Sequence, residues 1–593
     1  MPISSPKKIL FWLITIIFPF ILLAIIEIGF RIGGYNSDAQ NLFIELPGKS
    51  DFYATNPNFA ARYFPSFIPQ VAPSLFLKEK QENSFRVFVL GGSTTQGFPY
   101  NFYGSFSSRI EQKLIMETQG LKIEVINLGM TAVNSYVLRD LTTRIVEYDP
   151  DAVVIYAGHN EYYGSFGVAT SQFGIGDSIW LKRSILYLKN FRLYQFIEHQ
   201  FKKEEDRSEN RTLMAKVVQQ SSIPLNGDIY NNGVNQFKDN MTEVLAELNE
   251  EGITTYISTI TSNLKDQAPL GENEEALQEF VEGEKLYSEG KFENAKKKFI
   301  TAKELDDTRF RAPEKINEVI KDLSDTYNVE LINTYEVSFD SSLSGIPDNS
   351  FFVDHLHPDW DGSQLIGELF FDRIIEKQLS KYYMPNSLSI RPVLNKFEEV
   401  YSSTGVSRLL VGYPFTKGLT SNEEYANFQK ILNSSFKTSY IDSIAASAWR
   451  TQREVFLALT DVLNYEAYRK NEQGISEHYL SLAQWQIFND DLLKKGINEA
   501  TNNRNLDNNT ALLLHLILNK EQKTDPYFAN TLSAIYLLNQ DLDRAGYWLK
   551  ESEKVASETS ELLYNYARYY VMKGDTTLAR KYYNRYMELN KSK

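Results

Sequence analysis

Residues 85–97 read FRVFVLGGSTTQG. Six residues rich in β-branched and aromatic side chains end at a glycine pair, which marks a short buried strand. Ser93 then stands at a strand-to-helix turn, where a hydroxyl is exposed and the first helical N–H groups attract negative charge. A serine here also suits a plain helix N-cap. A phosphate-binding loop fits less well, because the lysine of GxxxxGK[ST] is missing. Working outward, Lys122–Gly129 (KIEVINLG) and Ala152–Gly158 (AVVIYAG) repeat the pattern of a short apolar run closed by glycine. Between them, Ser105–Thr118 carries Phe106, Ile110, Leu114 and Ile115 at helical spacing. Ile253–Thr259 and Val329–Thr334 read as further strands after amphipathic helices. Apolar strands alternating with helices predict an α/β fold: a parallel sheet covered on both faces, with reactive groups at the carboxyl ends of its strands.

Four such ends carry polar blocks. Gly92-Ser93 follows the first strand and Asn127-Leu128-Gly129 the second. Gly158-His159-Asn160-Glu161 follows the third, and Asp354-His355-Leu356-His357-Pro358 comes towards the end of this α/β region. In this order, Ser93, Gly129, Asn160 and the Asp354-x-x-His357 pair resemble the SGNH (GDSL-type) serine hydrolase superfamily over roughly residues 84–380. The chain departs from that pattern twice, with Gly92 where the family carries aspartate and Glu161 where G-x-N-D is usual.

The resemblance implies a three-layer α/β/α fold and a serine esterase. Ser93 is then the nucleophile, His357 the base and Asp354 the group that orients the imidazole. It also implies an oxyanion hole built from the Ser93 N–H, the Gly129 N–H and the Asn160 amide. No cofactor is implied. His355 and His357 form an H-x-H pair beside Asp354 and Asp359, a spacing that permits metal chelation. No further His or Cys cluster accompanies it, and no metal site is assigned. His159 reads as a pocket wall, and His199, His478 and His515 as packing or surface residues. The His355 side chain points away from the Asp354 carboxylate if the segment is extended, and sideways if it is helical.

Composition narrows the rest. Among 593 residues, 62 are Lys or Arg and 76 are Asp or Glu, a net charge of −14. That balance argues against nucleic acid as a partner. Cysteine is absent, which removes disulfides and thiolate chemistry. Ile9–Ile26 (ILFWLITIIFPFILLAII) has no charge, follows Lys7 and Lys8, and as a helix spans about 27 Å, close to a bilayer's hydrocarbon thickness. No small-x-small cleavage site follows it, so residues 1–32 read as a cytoplasmic tail and one transmembrane helix. The bulk of the chain is then placed outside the cytoplasm.

Residues 33–83 read as an irregular linker. Within 84–380, residues 178–203 carry Lys182, Arg183, Lys189, Arg192, Lys202 and Lys203 among apolar residues. They read either as helices over the sheet or as a membrane-surface or lid segment. Residues 275–306 have tetratricopeptide (TPR)-like spacing, with Gly283, Tyr287, Gly290, Ala295, Phe299 and Ala302. Residues 390–593 read as an all-helical TPR-like repeat domain, because Tyr536 and Tyr570, and Ala545 and Ala579, stand one repeat length apart. The repeats either bind a protein partner or brace the enzyme.

Taken together, these features describe a membrane-anchored esterase acting on acyl or O-acetyl groups of envelope glycans or lipids. Its likeness to envelope-anchored family members implies a bacterial source, on the periplasmic or cell-surface side. Two alternatives stand: an O-acyltransferase modifying an envelope polysaccharide, and a non-catalytic envelope scaffold.

Overall fold

A computed structural model describes residues 5–591 except 37–40, 47, 65–67, 171–177, 202–212, 219, 389, 391, 437–438, 452, 484–494, 496–497, 499–507, 521–523 and 556–557. Lys202 and Lys203 of the basic segment lie outside the described residues.

The chain opens with the helix Ser5–Ile32. Its stretch Leu10–Ile32 has a mean hydropathy of 2.6 and is almost wholly unburied. It is long and apolar enough to cross a bilayer, a property that signal sequences share. Residues 33–83 then depart from the expected irregular linker. Strands β1 (Phe43–Leu46), β2 (Lys49–Thr55) and β3 (Leu75–Leu77) form an antiparallel sheet in the order β1-β2-β3. The strands are short and separated by stretches with Pro and Asn, so local pattern alone does not reveal them. What holds them is burial: Phe43, Phe76 and Phe59 join the main core, with Phe43 and Phe76 ring centroids 4.7 Å apart.

The main sheet contains β4 (Ser84–Gly91), β5 (Lys122–Asn127), β6 (Ala152–Tyr156), β7 (Thr254–Ser258) and β8 (Glu330–Ile332). Every pairing is parallel and the order is β5-β4-β6-β7-β8. All eight residues of β4 and all five of β6 are buried, as expected of central strands covered on both sides. On one face the helices Phe106–Glu117 and Trp360–Ile374 pack together, and on the other Ser135–Ile145 packs against Asp228–Glu250. The result is the three-layer α/β/α architecture expected from the sequence. The strand order reverses between β4 and β6, and in a doubly wound sheet the crevice for ligands opens at such a reversal.

The TPR-like insertion forms the hairpin Glu274–Ser288 and Phe292–Leu305. It docks on the α/β lobe through Phe280 and Phe299, which share a small core with Leu264, Phe339 and Ile346. From Lys396 to Lys591 every described element is helical. Tyr536 lies in the last turn of the helix Pro526–Leu538 and Ala545 on the following one, Leu542–Val555. Tyr570 and Ala579 hold the same places in Ser560–Met572 and Thr576–Lys591.

These helices are fastened to the sheet. β5 is an edge strand, and its free edge meets the side chain of Asn519. The Ile123 N–H donates to Asn519 Oδ1 at 2.8 Å, and Asn519 Nδ2 donates to the Ile123 carbonyl at 2.7 Å. One amide thus satisfies both backbone groups of an edge residue. Arg544 reaches the Met116 and Met384 carbonyls, and Arg109 Nη1 donates to the Ile390 carbonyl at 3.1 Å. Buried residues of both regions belong to one continuous core.

Candidate active site

The first block sits on a one-turn helix, Ser93–Gln96, directly after β4. Two bonds tie this turn to the neighbouring strands. Thr95 Oγ1 donates to the Tyr156 carbonyl of β6 at 3.2 Å, and Asn127 Nδ2 at the end of β5 donates to the Thr95 carbonyl at 2.7 Å. Gly129 lies against the turn so closely that a Cβ there would come within 2.3 Å of the Gln96 nitrogen. Only glycine permits that approach.

The last block folds into a tight turn around its own carboxylate. Asp354 Oδ1 accepts from the backbone N–H of Leu356 at 2.9 Å and of His357 at 2.8 Å. The Asn263 N–H, beyond the carboxyl end of β7, donates to the His355 carbonyl at 3.0 Å and locates the loop over the sheet. Asp359 then caps the helix Trp360–Ile374 by accepting from the Gly362 N–H at 2.7 Å.

Across the sheet top these two blocks meet. Ser93 Oγ is 2.7 Å from His357 Nε2, and His357 Nδ1 is 2.7 Å from Asp354 Oδ2. A carboxylate accepts from Nδ1–H, which leaves Nε2 as the acceptor for the serine proton. Burial works to raise the Asp354 pKa. The adjoining His357, by charge and by its ring hydrogen bond, outweighs it and holds the carboxyl well below its usual range. Asp354 is therefore an anion beside the His357 ring. The Phe98 ring packs on His357 with centroids 4.6 Å apart.

The three expected oxyanion donors differ in availability. The Ser93 N–H and the Asn160 amide have no acceptor among the described residues. Asn160 Nδ2 lies 2.8 Å from where a Gly92 Cβ would stand, one residue before Ser93. A side chain added at Gly92 would press on this amide as it stands here. The Gly129 N–H instead donates to Asn127 Oδ1 at 2.8 Å. Serving an oxyanion requires it to share or exchange that bond. Asn127 thus ties Gly129 to the Thr95 turn, contacts that residue-type reasoning passed over although the residue stands in the quoted block.

Two neighbours differ from expectation or fill it in. His355 does not point away from Asp354: its Nδ1 lies 3.2 Å from Asp354 Oδ1, without hydrogen-bond geometry. The tight Asp354 turn brings both rings to one carboxylate, whereas an extended segment would have separated them. Burial lowers the His355 pKa against the opposing pull of Asp354, so the ring is neutral. It packs between Phe310 and Phe415, the latter from the C-terminal helical region. Asp354, His355 and His357 form a cluster with metal-ligand spacing. A metal there would have to displace the His357–Asp354 bond on which the Ser93 contact depends.

His159 is buried. Its Nδ1 accepts from the Ala312 N–H at 3.2 Å, and burial pushes its pKa down to about 3. Glu161, the second departure, is also buried. It accepts from the Ser135 N–H and Oγ, both at 2.8 Å, at the start of the helix Ser135–Ile145. Burial raises its pKa to about 7. Its role is to hold a helix end beneath the site.

No protein-family model and no curated protein matches the chain. Solved structures do. The acetyl xylan esterase AlAXEase is 14% identical, over 49% of this chain and 100% of its own, with a TM-score of 0.27. A GDSL-like lipase from Bacteroides thetaiotaomicron is 10% identical, over 51% and 92%, with a TM-score of 0.27. Axe2, an acetylxylan esterase from Geobacillus stearothermophilus, is 14% identical, over 50% and 96%, with a TM-score of 0.26. At these scores the functional reading rests on this chain's own side chains.

Proposed function

We propose that the protein is a membrane-anchored serine esterase acting on acyl or O-acetyl groups of envelope glycans or lipids. The observation that carries this reading is the unbroken chain Ser93 Oγ–His357 Nε2 and His357 Nδ1–Asp354 Oδ2, each contact 2.7 Å. Ser93 Oγ attacks the ester carbonyl as its proton passes to His357 Nε2. The oxyanion forms against the Ser93 N–H and the Asn160 amide, joined by Gly129 when its N–H turns from Asn127. The C–O bond to the alcohol breaks, and the alcohol leaves with the proton from His357. Water, deprotonated by the same nitrogen, then hydrolyses the acyl-serine. Asp354 balances the imidazolium in both halves. Phe98, half-buried against His357, offers an acyl group an apolar surface.

The test is hydrolysis of an ester panel from acetate to long acyl chains by the full-length protein. Activity on at least one ester, abolished in Ser93→Ala, is expected. Equal rates in wild type and Ser93→Ala would end the reading.

A further inference from the structure

The helices Ile179–Leu188 and Arg192–Phe201 bury the wrong side for a water-facing pair. Trp180 is 77% exposed and Tyr187 65% exposed, whereas Lys182 is 1% and Lys189 3% exposed. Leu188, Phe196 and Ile197 are exposed with the two aromatics. The cations turn inward. Lys182 Nζ donates to Gln236 Oε1 at 3.4 Å and sits over the Tyr136 ring. Arg183 binds Asn240 and Glu243 on the helix beneath, and Lys189 pairs with Glu198 at 2.5 Å. Arg192 reaches the Asn36 carbonyl. A solvated face is ordinarily charged, so apolar residues outward and cations inward call for an apolar medium outside.

The same pair is locked to the end of the N-terminal helix. Glu27 Oε2 accepts from the Leu193 N–H at 2.9 Å, and Arg31 Nη2 donates to the Asn190 carbonyl at 3.2 Å. Tyr35 Oη lies 2.8 Å from His199 Nδ1, and Asn36 Nδ2 donates to Gln195 Oε1 at 2.9 Å. The Phe30 and Phe196 rings meet at 5.0 Å. The exposed apolar side of the pair therefore continues from the exposed apolar surface of Ser5–Ile32.

We propose that residues 179–201 form a platform lying in the membrane interface, which seats the catalytic lobe on the bilayer where the anchor helix leaves it. This rests on reading Ser5–Ile32 as a membrane anchor. Trp and Tyr favour the headgroup region, with an apolar body in the acyl boundary and a polar edge in water. Contact is made by apolar area and not by charge, so it needs no anionic lipid.

The chain has no cysteine, so single labels are clean. Nitroxides are placed at Trp180→Cys, Tyr187→Cys and Ile197→Cys in the full-length protein, reconstituted into phosphatidylcholine vesicles. Accessibility to oxygen, which concentrates in lipid, is compared with accessibility to a water-soluble nickel chelate. Ile17→Cys in the anchor and Lys291→Cys at the hairpin tip supply the lipid and water references. The three platform labels are expected to show an oxygen-over-nickel ratio several-fold above that of Lys291→Cys and below that of Ile17→Cys. High salt or added phosphatidylglycerol should not change it. Water-like ratios at all three beside a lipid-like Ile17→Cys would overturn the platform while leaving the anchor standing. A water-like Ile17→Cys would remove the anchor and the platform with it. Labels shielded from both reagents would mean that a protein, not lipid, covers the face, and would also overturn the proposal.

Discussion

At the scale of single residues, the account stands on which groups share a proton. Ser93→Ala and His357→Ala should each lower kcat by about 10³-fold or more, and the double variant should be no worse, because the two act as one unit. Steady-state kinetics of the three variants check this. His355→Ala should leave turnover near wild type, since its ring rests between Phe310 and Phe415 and does not reach Ser93. Gly92→Ala tests the oxyanion side separately. The added methyl would come within 2.8 Å of Asn160 Nδ2, the end of a side chain that can swing away. The expected result is a loss of kcat of about tenfold or more with little change in melting temperature, as for a misplaced oxyanion donor. Ser93, Asn160, Asp354 and His357 were legible because each stands in a short block after an apolar run. The His355 orientation was not. It depends on Asp354 gathering two backbone N–H groups into a turn, and alternation along an extended chain gives the opposite answer.

At the scale of elements, the edge of the sheet and a buried carboxylate are the sensitive points. Asn519→Ala would strip both partners from the Ile123 backbone, at a cost of about 1–3 kcal/mol in urea unfolding. Glu398 lies on the helix Lys396–Leu410, buried between Asn101, whose amide donates to it at 3.0 Å, and Ser481. Burial raises its pKa from 4.5 to about 7. The folded chain therefore keeps a proton that the unfolded chain releases. The associated stability is complete below about pH 4.5 and lost as pH rises through about 7. Glu398→Gln should flatten the decline in that window by up to about 1.4 kcal/mol per pH unit, read from urea midpoints at successive pH values. The strands of the main sheet were plain in the sequence, being continuous apolar runs ending in glycine. β1–β3 were not, because three short strands among Pro and Asn gain their order only by burying Phe43 and Phe76 on the main core.

At the scale of the whole molecule, the helical region reads as a brace. Phe415 packs on His355, a Gly405 Cβ would lie 3.8 Å from the Phe98 ring, and Asn519 and Arg544 bind backbone of the catalytic lobe. Truncation near residue 395 should therefore give a protein that unfolds at lower urea and loses ester hydrolysis, monitored by circular dichroism and turnover together. A truncated core with wild-type stability and rate would make the repeats a separable module. Sequence periodicity revealed the helices of this region but not their seat, since contacts such as Asn519 with Ile123 join residues 396 apart. The central claim, a serine activated by His357, is tested most directly by fluorophosphonate labelling of the full-length protein followed by peptide mapping. One adduct on Ser93 is expected, formed quickly in wild type, slowed by orders of magnitude in His357→Ala and absent in Ser93→Ala. An adduct on another serine, or labelling of Ser93 at an undiminished rate in His357→Ala, would contradict it.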